Sequence, residues 1–352
     1  MYIVLAILAF GIIIAIHELG HFLSAKALNV KVVEFAIGMG PKLLKKQGKE
    51  TLYTLRALPF GGFCAMEGQD EEVDDPRAFT SQKRWRRIII LVAGSLANFI
   101  AAFIIILIIT AGATGFVGTT ISSLVDEFPN EGPDGLMTGD TIVSINGERL
   151  YYVDDFSMFM ELNTGSRVDL VIRRNGENIK LNNFPLERRN YNIDGEMRYR
   201  YGITFNAIEA TAGEQLKFSC YQAFNFMRMI RVSIAMLISG AAGMEDISGP
   251  VGIVDAMNTI GQQAPTVIAA IGNIAFLMAF IGVNVAVVNL LPIPAMDGGR
   301  ILFIFITWVI ETVTRRRLDP KYEGYINTGA FVLLIGLMVV ILYNDVMRII
   351  NG

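Results

Sequence analysis

The chain has 352 residues, of which 53% are hydrophobic, and a formal net charge of −3. This composition is too apolar for an ordinary soluble enzyme and predicts a polytopic membrane protein. The near-neutral charge argues against nucleic acid as a partner. The two cysteines, Cys64 and Cys220, fall on opposite sides of the bilayer in the predicted topology, which excludes a disulfide framework.

The first predicted element is an apolar helix, from about Tyr2 to Leu28, that contains the only two histidines of the chain. His17 and His21 are four residues apart and share one face of the helix, with Glu18 between them. In this HExxH spacing two imidazoles hold zinc, and the glutamate handles the proton of the metal-bound water. No charged side chain precedes them, so they lie deep in a span, where an ionisable cluster is costly. The stretch predicts a zinc site inside a membrane.

Lysines after this helix, Lys26 and Lys31, place its C-terminal end on the cytoplasmic side. A cleaved signal peptide over residues 1–27 is the alternative interpretation. It lacks a basic segment before the apolar run, and cleavage would discard both histidines. The helix is therefore predicted to remain in the protein as its first span.

Residues 30–65 combine short apolar runs with a turn at Gln47-Gly48-Lys49, which predicts a β-hairpin. One interpretation is a hairpin in the cytoplasm. The other is a hairpin that dips toward the metal, where its free edge pairs with an unwound substrate strand. Residues 30–65 are therefore the candidate substrate-binding region. The acidic run Glu67–Asp75 after the hairpin predicts a solvated loop.

A second span is predicted from about Ile88 to Ile109, because basic residues at 83–87 anchor its cytoplasmic end. The small residues Gly94, Ser95 and Ala97 allow another helix to approach closely. Asn98 is a lone amide in this span. For Asn98 we favour an interhelical hydrogen bond over a direct catalytic role.

Residues 115–205 change character, since charges become frequent and glycine-bearing turns recur. A strand followed by Asn146-Gly147 is predicted after Gly139. Residues 167–174 and 177–181 flank Asn175-Gly176, which predicts a second hairpin. This segment is predicted to be a small β-rich domain outside the membrane.

Residues 213–244 have an amphipathic helical pattern that predicts a helix along the outer membrane surface, broken at Ser248–Gly252. A third span, about Val267 to Leu291, ends in a segment with Pro292 and Pro294 that must interrupt the helix. Asp297 follows this interruption. It is either a third zinc ligand or a helix N-cap, and a catalytic zinc needs three protein ligands.

Arginines 315–317 mark the cytoplasm again, and a last span is predicted from about Thr328 to Leu342. The prediction is a polytopic α-helical membrane protein with about four transmembrane helices, a membrane-associated β-hairpin and an inserted β-rich domain. Residues 1–114 and 266–352 form the two halves of the membrane core. The inserted domain covers 115–205, and 206–265 is the helical surface segment.

The order of these motifs resembles the site-2 protease family of intramembrane metalloproteases, in its bacterial branch. The resemblance covers nearly the full length and is carried by the following motifs: HELGH at 17–21; Asn289-x-x-Pro292-x-Pro294-x-Met296-Asp297-Gly298, with Met296 where leucine is usual; Gly94-x-x-x-Asn98; Ser248-Gly249-Pro250; and residues 135–147, which resemble the PDZ domain that bacterial members insert after the second span.

The resemblance implies that His17, His21 and Asp297 hold Zn²⁺ and that Glu18 is the general base. Asn289 is the candidate for binding the substrate backbone or the oxyanion. The implied substrates are single-span membrane proteins, either membrane-tethered regulators such as anti-sigma factors or remnant signal peptides.

The resemblance also implies a multi-pass protein of the inner (cytoplasmic) membrane. Both termini and the PDZ-like domain would be extracytoplasmic, and the active site would lie toward the cytoplasmic side. The PDZ-like domain would act as a size filter and is a possible site of peptide contact. The hairpin at 30–65 would be the membrane-reentrant element near the active site.

Two alternatives belong to other functional classes. A membrane zinc transporter or metal sensor would use the same ligands, but it should offer successive sites and has no obvious need of Glu18. A membrane-anchored PDZ scaffold with a vestigial site should have lost at least one of the four motif residues, and all four are present.

Overall fold

The structure is a computed structural model that describes residues 2–69, 73–126, 128–163, 165–193, 196–243, 249–315 and 321–351. The middle of the predicted acidic loop, Ser248 and residues 316–317 of the arginine cluster lie outside the described residues. The chain divides into two compact units. One unit combines Met1–Ala111 with Ser219–Gly352, and the other is Gly112–Phe218.

The helices and strands follow one another along the chain in an order close to the predicted one. The elements are α1 (Tyr2–Ala27), β1 (Val32–Gln47), β2 (Leu52–Met66), α2 (Arg84–Thr110), β3 (Gly115–Leu124), β4 (Thr141–Ile145), β5 (Glu148–Arg149), α3 (Val153–Leu162), β6 (Arg167–Arg174), β7 (Glu177–Pro185), β8 (Arg189–Ile193), β9 (Glu196–Arg200), β10 (Ile203–Glu209), α4 (Ala212–Ser239), α5 (Pro250–Gln263), α6 (Val267–Leu290), α7 (Asp297–Thr314) and α8 (Lys321–Asn351).

Four stretches among the described residues are long and apolar enough to cross a membrane: Val4–Ala27, Arg84–Thr110, Val267–Leu290 and Gly324–Arg348. They coincide with the four predicted spans, which confirms the helical membrane core. Small residues allow α1 and α2 to cross closely, as expected. A Cβ atom on Gly20 would contact the carbonyl oxygen of Ala93 and lie 2.8 Å from the Cβ of Ala97.

Apolar side chains join these helices in two buried clusters. The first cluster brings together α1, α5 and α6 through Ala6, Ala9, Ile13, Met257, Ile274 and Ile281. The second joins α2, α4 and α6 through Ala102, Ile106, Ala223, Phe226, Ile230, Ala279 and Val283. One face of α4 therefore packs against two spans. Its placement along the outer membrane surface stays a prediction.

The predicted hairpin at 30–65 is present, with Gln47 of β1 opposite Leu52 of β2. Both strands bend, and β2 consequently flanks β1 on two sides. Phe35 lies opposite both Cys64 and Tyr53. The segment Gly62–Met66 thus forms an outer strand that pairs with β1 along one edge.

The two ends of this hairpin are held at different heights along α1. At the turn, Glu50 accepts hydrogen bonds from Lys26 at the end of α1 and from Arg77. At the bend of β2, a Cβ atom on Gly11 would contact the carbonyl oxygen of Pro59. Gly11 precedes the end of α1 by roughly 24 Å at 1.5 Å per residue. The bend, rather than the predicted turn, therefore reaches far along the membrane helix.

The second unit is built on a sheet with strand order β10-β3-β4-β6-β7, with β5 paired to β4. Both predicted Asn-Gly turns are present, and their residues have positive φ angles, as such hairpin turns require. The unit extends past the predicted boundary at 205 because β10 and the start of α4 belong to it. Phe218 of α4 stacks on Phe116 of β3 at 4.2 Å. The likeness to a PDZ domain stays a prediction.

Candidate metal centre

The three predicted zinc ligands lie close together in the structure, although His17 and Asp297 are 280 residues apart in the sequence. The Nε2 atom of His17 lies 3.1 Å from Asp297 Oδ2, and His21 Nε2 lies 3.2 Å from the same oxygen. The two Nε2 atoms are 3.1 Å apart. Ligands on a tetrahedral zinc, at about 2.0–2.1 Å from the metal, are separated by roughly 3.3 Å. The three atoms form a triangle close in size to one face of such a tetrahedron, so the residues fit a zinc ion.

Asp297 reaches the histidines because the chain turns back sharply between α6 and α7. Met296 occupies the N-cap position, and Asp297 is the first residue of α7. The interpretation of Asp297 as the helix N-cap is therefore wrong, because the N-cap is the preceding residue. A Cβ atom on Gly298 would contact the carbonyl oxygens of Leu290 and Leu291. This tight packing holds the start of α7 against the end of α6, as the predicted interruption requires.

The imidazole rings are oriented by α2. The Nδ1–H of His21 donates to the carbonyl oxygen of Ile90 at 2.8 Å, which leaves the Nε2 lone pair directed at the triangle. A Cβ atom on Gly94 would lie 2.5 Å from His21 Nε2 and 2.8 Å from Cε1 of His17. Glycine at position 94 therefore gives both rings the space that they occupy.

A cavity of about 430 Å³ opens beside the three ligands. Glu18 lines it, and a Cβ atom on Gly62 of β2 would lie 3.6 Å from the Glu18 Cγ atom. Cys64 of β2 lines the cavity together with Glu18. Asn289 also lines the cavity, with its Nδ2 atom 3.4 Å from His17 Nε2. All five predicted site residues thus border one space.

The outer strand of the hairpin borders the same cavity, through residues 63–66. Of the two interpretations of the hairpin, its position beside the cavity and along α1 supports the one in which it approaches the metal. The unpaired edge of the strand, among the described residues, and the ligand triangle are therefore neighbours.

Sequence reasoning missed part of this site and was wrong on one residue. Gln69 and Arg300 line the cavity. Arg300 follows Asp297 by three residues and so shares its helix face, a signal that could have identified it. Asn98 is buried, and its Nδ2 atom has no hydrogen-bond partner among the described residues. The interhelical hydrogen bond expected of Asn98 is therefore absent at its Nδ2 atom within the described part of the chain.

Comparison with protein families gives a match over almost the whole chain. The sequence model of peptidase family M50 matches residues 5–337.

Similar proteins are found in several bacteria. A protein of Clostridium acetobutylicum with the provisional name of a zinc metalloprotease is 38% identical over 99% of this chain and 98% of its own length. A similarly named protein of Clostridium perfringens is 36% identical over 98% of both chains. The regulator of sigma-W protease RasP of Bacillus subtilis is 25% identical over 97% of both chains.

Proposed function

Because the chain belongs to peptidase family M50, and is a zinc-dependent metalloendopeptidase by that membership, we propose that it cuts peptide bonds within membrane-spanning segments. The observation that carries this proposal is the ligand triangle of His17, His21 and Asp297 beside Glu18, in a unit whose helices can cross a membrane. The proposed substrates are membrane-tethered regulators of the anti-sigma-factor kind, or remnant signal peptides. The relative named as a regulator of sigma-W protease supports the first class.

The geometry supports the following roles for the site residues. The residues that would hold zinc are His17, His21 and Asp297. Zinc, when bound, supplies Lewis-acid polarisation of a carbonyl and lowers the pKa of water. Glu18 borders the same cavity and takes the proton of the attacking water, which it then passes to the leaving amine. The amide of Asn289 donates its Nδ2–H to the developing oxyanion.

The substrate must lose its helical hydrogen bonds before its backbone can be attacked. We assign this task to the outer strand of the hairpin, residues 62–66, since an extended segment paired with its edge would lie beside the cavity. Proline residues 292 and 294 interrupt the helical backbone next to Asp297 and give water a polar route to it.

The proposed location is the inner (cytoplasmic) membrane, with four spans, both termini and the β-rich unit outside, and the site toward the cytoplasm. The charge distribution along the sequence supports this orientation, because basic residues follow α1 and precede α2. The β-rich unit is proposed to exclude large external domains from the site.

The decisive experiment compares wild type with Glu18→Gln on a tagged single-span reporter, with and without a zinc chelator. Wild type should release product only when zinc is present. Glu18→Gln should bind zinc and release no product, because the amide cannot accept the proton. Glu177→Gln, which removes an exposed carboxylate of β7, is the matched control and should cleave as wild type does.

Two results would overturn the proposal. Full cleavage by Glu18→Gln would remove its role as base. Zinc binding without cleavage of any reporter, together with zinc flux across vesicles that contain the protein, would favour the transporter.

A further inference from the structure

The last helix contributes a contact to the loop that carries Asp297. Asn327, in the first turns of α8, accepts a hydrogen bond through its Oδ1 atom from the backbone N–H of Ala295 at 3.1 Å. Ala295 precedes Asp297 by two residues. A side chain outside the cavity therefore touches the segment that presents a predicted metal ligand.

Ala295 has an unfavourable backbone conformation. Its φ angle is +71°, in the left-handed region where a Cβ atom crowds the following carbonyl oxygen. Such a residue stays there only when its surroundings hold it. The asparagine of α8 supplies one such restraint from outside the loop.

Other amides of this loop are bonded locally. Leu291 donates to Val288, Ile293 donates to Leu291, and Met296 donates to Ile293. Pro292 and Pro294 carry no amide hydrogen. Among the described residues of this loop, the Ala295 amide is thus the one whose hydrogen-bond acceptor lies on α8.

Polar contacts near both ends attach α8 to the rest of its unit. At the far end the carboxylate of Asp345, itself buried, accepts hydrogen bonds from the backbone N–H groups of Gly249 and Gly252 at 3.1 and 2.8 Å. Between these ends, none of the most apolar 18-residue stretch of the helix is buried. The position of α8 is therefore fixed at the loop by Asn327 rather than by a packed core.

We propose that Asn327 is a positioning residue for the metal centre. It holds Ala295 in the left-handed conformation, and this conformation aims the Asp297 carboxylate at His17 and His21. The inference rests on the proposed function, since it takes Asp297 as a zinc ligand. Zinc affinity should then depend on a side chain that does not touch the metal, and the dependence should vanish when residue 295 adopts a positive φ angle without strain.

The test measures the zinc dissociation constant of the full-length protein by competition with a chromogenic chelator. Asn327→Ala should raise that constant about tenfold, as loss of an outer partner of a ligand does. Ala295→Gly should bind zinc as wild type does, because glycine tolerates a positive φ angle. The zinc dissociation constant of the double variant, Asn327→Ala with Ala295→Gly, should return to within about threefold of the wild-type value, because glycine needs no restraint to keep a positive φ angle. Thr328→Ala removes an exposed hydroxyl bonded only within α8 and is the matched control.

The outcomes separate this proposal from the proposed function. If wild type does not bind zinc, the proposed function fails. If wild type binds zinc and Asn327→Ala binds it equally well, or if the double variant is as weak as Asn327→Ala, only the positioning role fails.

A measurement on the unaltered protein covers the case in which Asn327→Ala does not fold. In hydrogen exchange, the peptide from Leu291 to Asp297 contains few amides because of its two prolines. The Ala295 amide should exchange slowly. Fast exchange at that amide would overturn the proposal.

Discussion

Two aspartates, the buried Asp140 of the β-rich unit and the partly buried Asp297 of the membrane unit, show how differently the chain surrounds a carboxylate. In the β-rich unit, Asp140 accepts hydrogen bonds from Arg174 Nε and Nη2, both at 2.7 Å, and from the Met137 amide at 2.8 Å. In the membrane unit, Asp297 faces the Nε2 atoms of His17 and His21. A guanidinium neutralises the first carboxylate, whereas the imidazole rings of two histidines face the second.

This difference separates a structural carboxylate from a proposed metal ligand. The hydrogen-bonding capacity and charge of Asp140 are met by its own unit, so the pair contributes to one defined fold. Three atoms with lone pairs converge at Asp297, and such an arrangement is stable when a cation lies among them.

The largest effect is expected for Asp297→Asn. The amide oxygen is a weaker ligand than a carboxylate, so zinc affinity should fall by more than the 10- to 100-fold that loss of an outer partner costs, and cleavage should fall to background. Metal content by mass spectrometry and reporter cleavage measure both. The β-rich unit should unfold as in wild type. Unchanged zinc stoichiometry would show that Asp297 is not a ligand.

Asp140→Asn should have the opposite pattern. It leaves the guanidinium of Arg174 partly buried without its counter-charge, at a cost of about 3–5 kcal/mol of stability. Hydrogen exchange in β4 and β6 of the intact protein should rise, while zinc content should not change. Glu177→Gln, at an exposed carboxylate of β7, is the control. Equal exchange in both variants would contradict a stabilising role for the Asp140 pair.

Gly94→Ala should move the histidines without altering any ligand. The added methyl group overlaps both rings, and overpacking of this kind costs about 1–3 kcal/mol. Zinc affinity and cleavage should fall together by about 5- to 160-fold, the equivalent of that energy. Gly272→Ala adds a methyl group to α6 where the structure has open space and should be silent. Wild-type activity of Gly94→Ala would mean that α2 shifts enough to make room for the added methyl group.

The smallest effect is expected for Glu50→Gln, at the turn of the hairpin. Hydrogen bonds from Arg77 and Lys26 lower the pKa of Glu50 from 4.5 to about 2. Its stabilising contribution is therefore complete above pH 4.5, declines as the pH falls toward 2 and is lost below that value. These side chains are partly exposed, so the contribution should stay below about 1 kcal/mol.

The measurement for Glu50 is the difference in Tm between wild type and Glu50→Gln as a function of pH. The difference should be constant at neutral pH and should disappear toward pH 2. A difference that does not vary with pH would assign it to packing rather than to charge.

The sequence predicted those parts of the molecule that depend on short spacing. The HExxH repeat fixes His17 and His21 on one helix face, and the Asn-Gly turns fix two hairpins. It also predicted the break that places Asp297, because Pro292 and Pro294 cannot continue a helix.

Features that depend on distant chain segments were not predictable in this way. The bend that brings Pro59 to Gly11 and the hydrogen bond from Ala295 to Asn327 leave no local pattern. Asn98 illustrates the same limit. Its burial could be predicted from its place in a membrane span, but its hydrogen-bond partners depend on which helices face it.

The separation of His17 and Asp297 along the chain has a consequence for biosynthesis. A ribosome adds roughly 5–20 residues per second, so the separation of 280 residues between these two proposed ligands corresponds to roughly 15–60 s of synthesis. During that interval the nascent protein lies in the membrane beside other newly inserted helices with an incomplete ligand set. Its hydrolytic power arises only when most of the chain is in place, and this delay protects its neighbours at the insertion site.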